Sequence, residues 1–506
     1  MTNTTKTSNP VEQTERSLTG TDGLDHILQG GLTSSRLYLV EGTPGTGKTT
    51  LALKFLLEGL NTGEAGLYVT LSETTSELTA VSQSHGWSLD ELDLFELVSE
   101  DGISSDNEQS LLHPSEVELG ETVRGVIAKV EETNPKRVVL DSLSELRLLS
   151  QNPLRYRRQI LALKHFFANR NCTVLMLDDR TAEPGDLQLH SIAHGVILLE
   201  QTASDFGAER RRLRIVKMRG LQYRGGYHDF TIEKGGIRVY PRLIAAEHHA
   251  TFDARPLSTG LAELDALLGH GLTPGTNTLL SGPAGVGKTT TAVRCMIAAL
   301  ERGQRAAYYL FDERLGTLLT RSAALGMDLR TYIESGQLML RQIDPAELSP
   351  GEFAGAVQSS VETDGASVIV IDSLNAYLHA MPSDNFLVLQ MHELLSYLSQ
   401  KGVISLMILA QHGITGELRS DVDMSYLADT VMLLRFFEAD GEIRKSLAVL
   451  KTRTSDHERT IRELEINRTG LVIGAPMRGF RGVLSGNPSL VVNGERLVDG
   501  EAHADE

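Results

Sequence analysis

Gly42-Thr43-Pro44-Gly45-Thr46-Gly47-Lys48-Thr49-Thr50 and, 240 residues on, Gly282-Pro283-Ala284-Gly285-Val286-Gly287-Lys288-Thr289-Thr290 are two copies of one phrase, GxxxxGK[ST]. The phrase acts through geometry. Its glycines let the loop wrap so that backbone N–H groups face phosphates, its lysine reaches the outer phosphates and its hydroxyl takes Mg2+. That geometry needs a strand before the loop and a helix after it. Leu37-Tyr38-Leu39-Val40 precedes Gly42, and the apolar run 50–57 follows; the second copy has Thr278-Leu279-Leu280 before it and 290–299 after it. One chance match in a chain of this length has a probability of roughly one in fifty at average residue frequencies. Two matches in repeat register point to two phosphate sites, not to glycine turns that bind nothing.

The duplication extends outward from the loops. Asp25 closes Thr19-Gly20-Thr21-Asp22-Gly23-Leu24-Asp25, and Asp265 closes Ser258-Thr259-Gly260-Leu261-Ala262-Glu263-Leu264-Asp265, again 240 residues away. Glu73 and Glu313 keep that offset; it drifts to 231 for Asp141 and Asp372 and to 234 for Lys217 and Lys451. Unequal loops in related copies produce such drift, and a period this long marks duplicated domains. Strands are expected at 37–40, 66–71, 137–140, 173–177 and 196–199, and again at 278–280, 306–311, 368–371, 404–409 and 431–434. These runs are continuously apolar, as parallel strands covered on both faces are. The fold class that follows is α/β: two tandem P-loop NTPase domains, each a mostly parallel twisted sheet flanked by helices. Both halves end in a charged alternating segment, 212–219 and 445–453, that reads as an exposed hairpin. Residues 1–15 read as a flexible tail, 16–245 as the first domain, 254–485 as the second and 486–506 as a C-terminal tail. The polar stretch 245–253 is the boundary.

Composition narrows the class. At about 100–200 residues per domain, 506 residues allow two to four domains. Apolar runs are strand-sized, and a spanning helix needs about 20 apolar residues, so no membrane role is expected. The polar start lacks a signal-peptide core, which points to the cytoplasm. Cys172 and Cys295 are the only cysteines; far apart and in apolar company, they read as buried thiols and not as a zinc site. The net charge of −18 argues against nucleic acid as a partner, because phosphate backbones call for a basic surface.

Two further positions carry chemistry. Arg137-Val138-Val139-Leu140-Asp141-Ser142 and Val368-Ile369-Val370-Ile371-Asp372-Ser373 each end an apolar strand in a carboxylate. With a P-loop upstream, Asp141 and Asp372 are the expected metal-side acids beside Thr49 and Thr289; capping of the next turn is the plainer alternative. Phosphoryl transfer also needs a group that orients or deprotonates the nucleophile. Glu73 and Glu313, at the end of the strand beside each P-loop strand, are the candidate bases; a surface acid heading a helix is the alternative.

Together the entry phrase, the acid after the second strand, the hhhhDS strand and Ile215-Val216-Lys217-Met218-Arg219-Gly220 resemble the KaiC family, the double-domain branch of RecA-like ATPases. The resemblance covers roughly residues 16–485. It implies RecA-like domains, ATP and Mg2+ as cofactors, and a homo-oligomer, a hexamer, with nucleotide sandwiched between subunits. The hairpin residues Lys217 and Arg219, and Lys451 and Arg453 in the second half, would then sense the γ-phosphate in trans; a basic edge strand is the alternative. The resemblance further implies an ATPase first ring and a second ring able to phosphorylate its own serine or threonine. Ser425 falls on the family's phospho-serine, and Tyr426 stands where its phospho-threonine would be. Clock or signalling proteins are the partners implied.

The chain also departs from the family pattern. The loop after the second hhhhDS strand, Asn375-Ala376-Tyr377-Leu378-His379-Ala380-Met381-Pro382, carries no arginine, whereas its first-half equivalent keeps Arg155, Arg157 and Arg158. Arginine at a transition state is worth about 10³–10⁵ in rate, so the second ring is expected to turn over more slowly. The acid pair of the family is Ser72-Glu73 in the first copy and Asp312-Glu313 in the second. A DNA-handling RecA relative would need basic loops, stacking aromatics or a zinc module; the loops 181–186 and 413–423 are not basic. A nucleotide-gated scaffold without kinase activity remains the other alternative.

Overall fold

The computed structural model describes residues 15–97, 114–150, 152–180, 188–203, 207–379, 387–411, 425–484 and 489–490. The chain forms two compact units divided between Arg242 and Leu243. The division falls before the polar stretch 245–253 because Leu243 and Ala245 are buried in the core of the second unit.

Each unit is built on one nine-stranded sheet. The first has β1 (Leu37–Glu41), β2 (Gly66–Thr70), β3 (Asp93–Glu96), β4 (Arg137–Asp141), β5 (Thr173–Asp178), β6 (Gly195–Thr202), β7 (Arg210–Met218), β8 (His228–Glu233) and β9 (Gly236–Tyr240). Their order is β3-β2-β4-β5-β1-β6-β7-β8-β9. Neighbours from β3 to β6 run parallel, and those from β6 to β9 antiparallel. The second unit has β10 (Asn277–Gly282), β11 (Ala306–Leu310), β12 (Leu338–Gln342), β13 (Val368–Asp372), β14 (Ile404–Ala410), β15 (Thr430–Ala439), β16 (Glu442–Lys451), β17 (Arg462–Asn467) and β18 (Gly470–Pro476). Their order, β12-β11-β13-β14-β10-β15-β16-β17-β18, repeats the first sheet strand for strand.

The apolar strands are buried on both faces. Along β1, Tyr38 and Val40 enter one core with Leu51, Phe55 and Leu56 of the helix Lys48–Asn61. Leu37 and Leu39 enter the other with Ile160, Leu163 and Phe167 of the helix Pro153–Asn169. The second unit repeats this with the helices Lys288–Leu300 and Leu387–Gln400. Both cysteines are buried, as their apolar neighbours suggest, and burial pushes the Cys295 thiol up to about 12.

The basic segments differ from the expected exposed hairpins. They are β7 and β16, integral strands paired along their length with β6 and β15. Alternation explains this: Leu213 and Ile215 are buried, while Arg212 is exposed and Arg214 half-buried. The edge strands β3 and β12 were not legible as apolar runs because they are half-polar. The repeated entry phrase has a structural reason. Asp25 accepts the N–H groups of Thr19 and Gly20 at 2.8 and 3.2 Å, and Asp265 accepts the N–H and hydroxyl of Thr259 at 2.7 Å each. Both turns are thereby latched to a short helix.

Candidate active site

Each loop leaves the C-terminal end of the strand flanked by β5 and β6, or by β14 and β15, and opens a long helix. Gly47 caps Lys48–Asn61 with φ 96°, and Gly287 caps Lys288–Leu300 with φ 118°. Side chains avoid this left-handed region, and a Cβ would lie 2.7 Å from Ile232 or 2.6 Å from Ile466. The loop's N–H groups and the helix N-terminus together make an anion cradle.

The loop lysines fold back over their own loops. Lys48 Nζ donates to the carbonyls of Gly42 and Thr43 at 2.8 and 3.1 Å, and Lys288 Nζ to those of Gly282 and Pro283 at 2.8 Å each. They differ in one partner. Lys48 forms an ion pair with Asp179 at 2.8 Å; strand register puts Ala410 at that position in the second domain. Burial lowers the Lys288 amine to about 8, against an opposing pull from Asp372.

The helix's second residue meets the acid at the end of the fourth strand. Thr49 Oγ1 donates to Asp141 Oδ2 at 3.4 Å, and Thr289 Oγ1 to Asp372 Oδ2 at 2.8 Å. A buried tyrosine from the adjacent strand donates to the same oxygen: Tyr68 at 2.5 Å and Tyr308 at 2.7 Å. Burial raises both carboxyls above their ordinary value, opposed first by the tyrosine hydroxyl. Among the described residues no cluster of three or more His, Cys, Asp or Glu gathers to hold a metal unaided. Mg2+ needs no such cage: one carboxylate, waters and substrate phosphates satisfy it, and a Thr–Asp oxygen pair beside a phosphate cradle fits that set.

Glu73 stands just beyond β2, tied through its backbone to the Thr70 hydroxyl. Its Oε2 is buried with no hydrogen-bond partner among the described residues. Burial, then the charges of Asp141, Glu77 and Asp179, raise its pKa. Glu313 is raised by burial too, but Arg321 opposes this through an ion pair at 2.9 Å. The first-domain counterpart of Arg321 is Val81. Asp312 accepts the Ser373 hydroxyl at 2.5 Å, where the first domain has Ser72 and Ser142.

In each domain the loop, the Thr–Asp pair and the glutamate therefore converge at one end of the sheet. Lys217, Arg219, Lys451, Arg453 and Ser425 do not join them. Tyr38 pairs with Gly195 and Gly195 with Met218, so Lys217 and Arg219 lie level with the start of β1. The loop leaves its far end, about 13 Å away at ~3.3 Å per residue. Lys217 donates to the carbonyls of His190 and Ala193, and Arg219 to that of Ser191. Lys451 does the same to Ser425 and Ala428, and Arg453 to Tyr426. Ser425 opens a 3-10 turn, Ser425–Leu427, in which Tyr426 is exposed. The loops 181–186 and 413–423 lie outside the described residues, as do residues 380–382 of the second-half stretch that lacks arginine; its first five residues belong to the helix Leu374–His379. Sequence reading missed Tyr68, Tyr308, Asp179 and Arg321. The first two carried a signal, a tyrosine at matching positions 240 residues apart.

A family model described as "ATPase: KaiC" matches residues 17–244 and again 257–478. The chain belongs to the KaiC family of ATPases. The two matches are its two P-loop domains, so each KaiC domain carries its own loop, Thr–Asp pair and glutamate. Among the curated relatives, the circadian clock protein KaiC3 of Synechocystis sp. is 27% identical over 488 residues, covering 95% of this chain and 96% of the relative. The circadian clock oscillator protein KaiC of Parathermosynechococcus lividus is 27% identical over 493 residues, covering 94% and 88%. Its namesake from Synechococcus elongatus is 26% identical over 489 residues, covering 94% and 92%. Among the described residues of this KaiC-family chain, no helix is long and apolar enough to cross a membrane.

Proposed function

We propose that this KaiC-family ATPase binds and hydrolyses MgATP at both P-loops as a cytoplasmic homo-hexamer. In this reading the second domain also transfers phosphate to Ser425, and the assembly acts as a signalling or timing hub for clock or signalling partners. The observation that carries the reading is the split arrangement of each domain. The loop, Thr–Asp pair and glutamate gather at one end of the sheet, and the basic pair gathers at the other. With the basic pair held by backbone carbonyls at its own end, residues at opposite ends of a strand do not meet on one phosphate group. If Lys217 and Arg219, or Lys451 and Arg453, touch phosphate, it is the phosphate of a second copy. Head-to-tail contacts of this kind close into rings where the rotation between copies closes, and the hexamer of this reading is such a ring.

The chain's own groups divide the work. Loop N–H groups and Lys48 or Lys288 bind and orient the outer phosphates. Thr49 and Asp141, or Thr289 and Asp372, would hold Mg2+, which would supply charge neutralisation at the outer phosphates. In the first domain Glu73 takes a proton from water as its oxygen attacks the γ-phosphorus; the bond to the β-phosphate oxygen breaks and ADP leaves. Its raised pKa suits a general base. In the second domain Glu313 would do the same for the hydroxyl of Ser425 in a neighbouring copy. Ser425 opens the 3-10 turn that leads into β15 at the end of that strand remote from its own loop, so in this reading the donor nucleotide belongs to that neighbour.

Phosphopeptide mass spectrometry after incubation with MgATP, beside Glu313→Gln, tests the reading. Phosphate on Ser425 that disappears in the variant supports it. Hydrolysis without any phosphopeptide leaves the second reading, a nucleotide-gated scaffold, which the Arg321–Glu313 ion pair favours by occupying the second base.

A further inference from the structure

The base of the first domain, where β1 and β6 begin, holds a cavity of about 210 Å3. Arg36, Lys164 and His194 line it, and Phe167 and Cys172 form apolar wall. Among the described residues no carboxylate lines it. Arg219 stands near enough to act on both Lys164 and His194. Lys164 Nζ spends one donor on the Ile192 carbonyl at 2.6 Å, and Arg36 spends Nη1 on the Ser35 carbonyl at 3.1 Å. Nε2 of His194 is buried and has no hydrogen-bond partner among the described residues.

The second domain is a control for this cluster inside the same chain. Equivalent backbone bonds fix the correspondence: Val174 N–H to Arg36 O matches Ser405 N–H to Thr276 O, and Cys172 N–H to Phe167 O matches Val403 N–H to Leu398 O. His194 N–H to Leu37 O likewise matches Asp429 N–H to Asn277 O. Thr276, Leu395 and Asp429 therefore stand where the first domain has Arg36, Lys164 and His194. Asp429 accepts the Asn277 N–H at 3.0 Å and faces Arg453 at 3.5 Å. Arg219, the counterpart of Arg453, meets His194 instead. The fold is thus built without a cation at any of the three positions, and with an acid at one of them. In the first domain like charges crowd a part-buried pocket, which is unfavourable without a counter-charge. Burial and the neighbouring cations push both Lys164 and His194 below their ordinary values.

We propose that Arg36, Lys164 and His194 form a second kind of anion site, one that takes a phosphate group. An acceptor-only oxyanion matches a guanidinium fork and a lysine with donors to spare. A cavity of about 210 Å3 is large enough for a phosphate group. The group has two sources: free phosphate, or the terminal phosphate of a nucleotide held by another copy. Only the second source rests on the assembly reading above.

The test uses the full chain. In a Lys48→Ala, Lys288→Ala background, nucleotide-free protein is dialysed against labelled inorganic phosphate, alone and with Arg36→Thr or Lys164→Leu, the residues of the second domain. One phosphate per chain, weakened at least tenfold by each change and retained in Lys164→Arg, establishes the site with free phosphate as ligand. Sedimentation in MgATP with both loops intact forms the second arm. If free phosphate does not bind, but Arg36→Thr and Lys164→Leu raise the ATP needed for assembly at least tenfold and leave thermal melting unchanged, the phosphate is that of another copy's nucleotide. If neither arm responds to the substitutions, the site does not exist.

Discussion

The Tyr308 hydroxyl and the Thr289 hydroxyl converge on one oxygen, Oδ2 of Asp372, at 2.7 and 2.8 Å. Tyr68 and Thr49 converge on Oδ2 of Asp141 in the same way. Both tyrosines are fully buried, so their rings are fixed by packing and their hydroxyls fix the carboxylate. Groups that orient a metal's ligand govern how well the metal binds, typically by 10–100-fold. Tyr308→Phe and Tyr68→Phe are each expected to weaken Mn2+ binding in the presence of ADP by about tenfold or more, read by electron paramagnetic resonance. An unchanged Mn2+ affinity would reduce the tyrosines to packing.

The same carboxylates carry a pH signature. Burial raises Asp372 above its ordinary value near 3.8. The folded state therefore holds its proton over a pH range in which the unfolded chain has lost it, and the stability tied to that proton is lost as pH rises through the raised value. Each unit of separation is worth about 1.4 kcal/mol. Above both values the ionised, buried carboxylate is a net cost to the empty fold. Asp372→Asn should raise the melting temperature of nucleotide-free protein at pH 7, and that gain should shrink as pH is lowered through the raised value. A fall in melting temperature at pH 7 would mean that the hydrogen bonds from Tyr308 and Thr289 outweigh the burial.

What the sequence disclosed follows from how each feature is encoded. The P-loops, Asp141, Asp372, Glu73 and Glu313 sit at or just beyond strand ends and recur in both copies, at an offset of 240 that drifts to 231 for the aspartates, so strand position and repetition together mark them. The strands flanking each loop announced themselves as unbroken apolar runs. Tyr68 and Tyr308 were concealed by those runs, because a tyrosine in a buried strand reads as core until its hydroxyl is seen to reach a carboxylate. Asp179 and Arg321 have no counterpart in the other copy, and a search for repeats passes over what does not repeat. The basic strands β7 and β16 read as exposed hairpins because their charges are visible in sequence, whereas the partners of Leu213 and Ile215 are not.

In the proposed reading Arg321 restrains the second base. Its ion pair with Glu313 spans 2.9 Å at a part-exposed site, and it opposes the rise that burial gives to Glu313. Exposed pairs are worth about 0.2–1 kcal/mol, which bounds the effect. Arg321→Val, the first-domain residue, should move the acid limb of second-site turnover to higher pH and raise its plateau about twofold to fivefold. The measurement is ATP hydrolysis against pH in a Lys48→Ala background, which isolates the second site. An acid limb that stays in place, or moves to lower pH, rules out Glu313 as the titrating base.

The separation of Lys217 from its own loop makes a prediction that a single chain cannot satisfy. Lys48 stands at the end of β1 and Lys217 level with its start, so loss of either should silence the first site while leaving the other half of the machinery intact. With the second site silenced throughout by Lys288→Ala, chains carrying Lys48→Ala and chains carrying Lys217→Ala should each hydrolyse little ATP. Mixed and reassembled in equal amounts, they should recover about a quarter of the parent rate per site, the fraction of head-to-tail interfaces that pair an intact loop with an intact Lys217. Recovery should require exchange of subunits and be absent when the assemblies are cross-linked before mixing. If the Lys217→Ala chain alone hydrolyses ATP at the parent rate, the lysine serves only the carbonyls of His190 and Ala193. If the mixture never exceeds the sum of its parts, the nucleotide is not shared between copies.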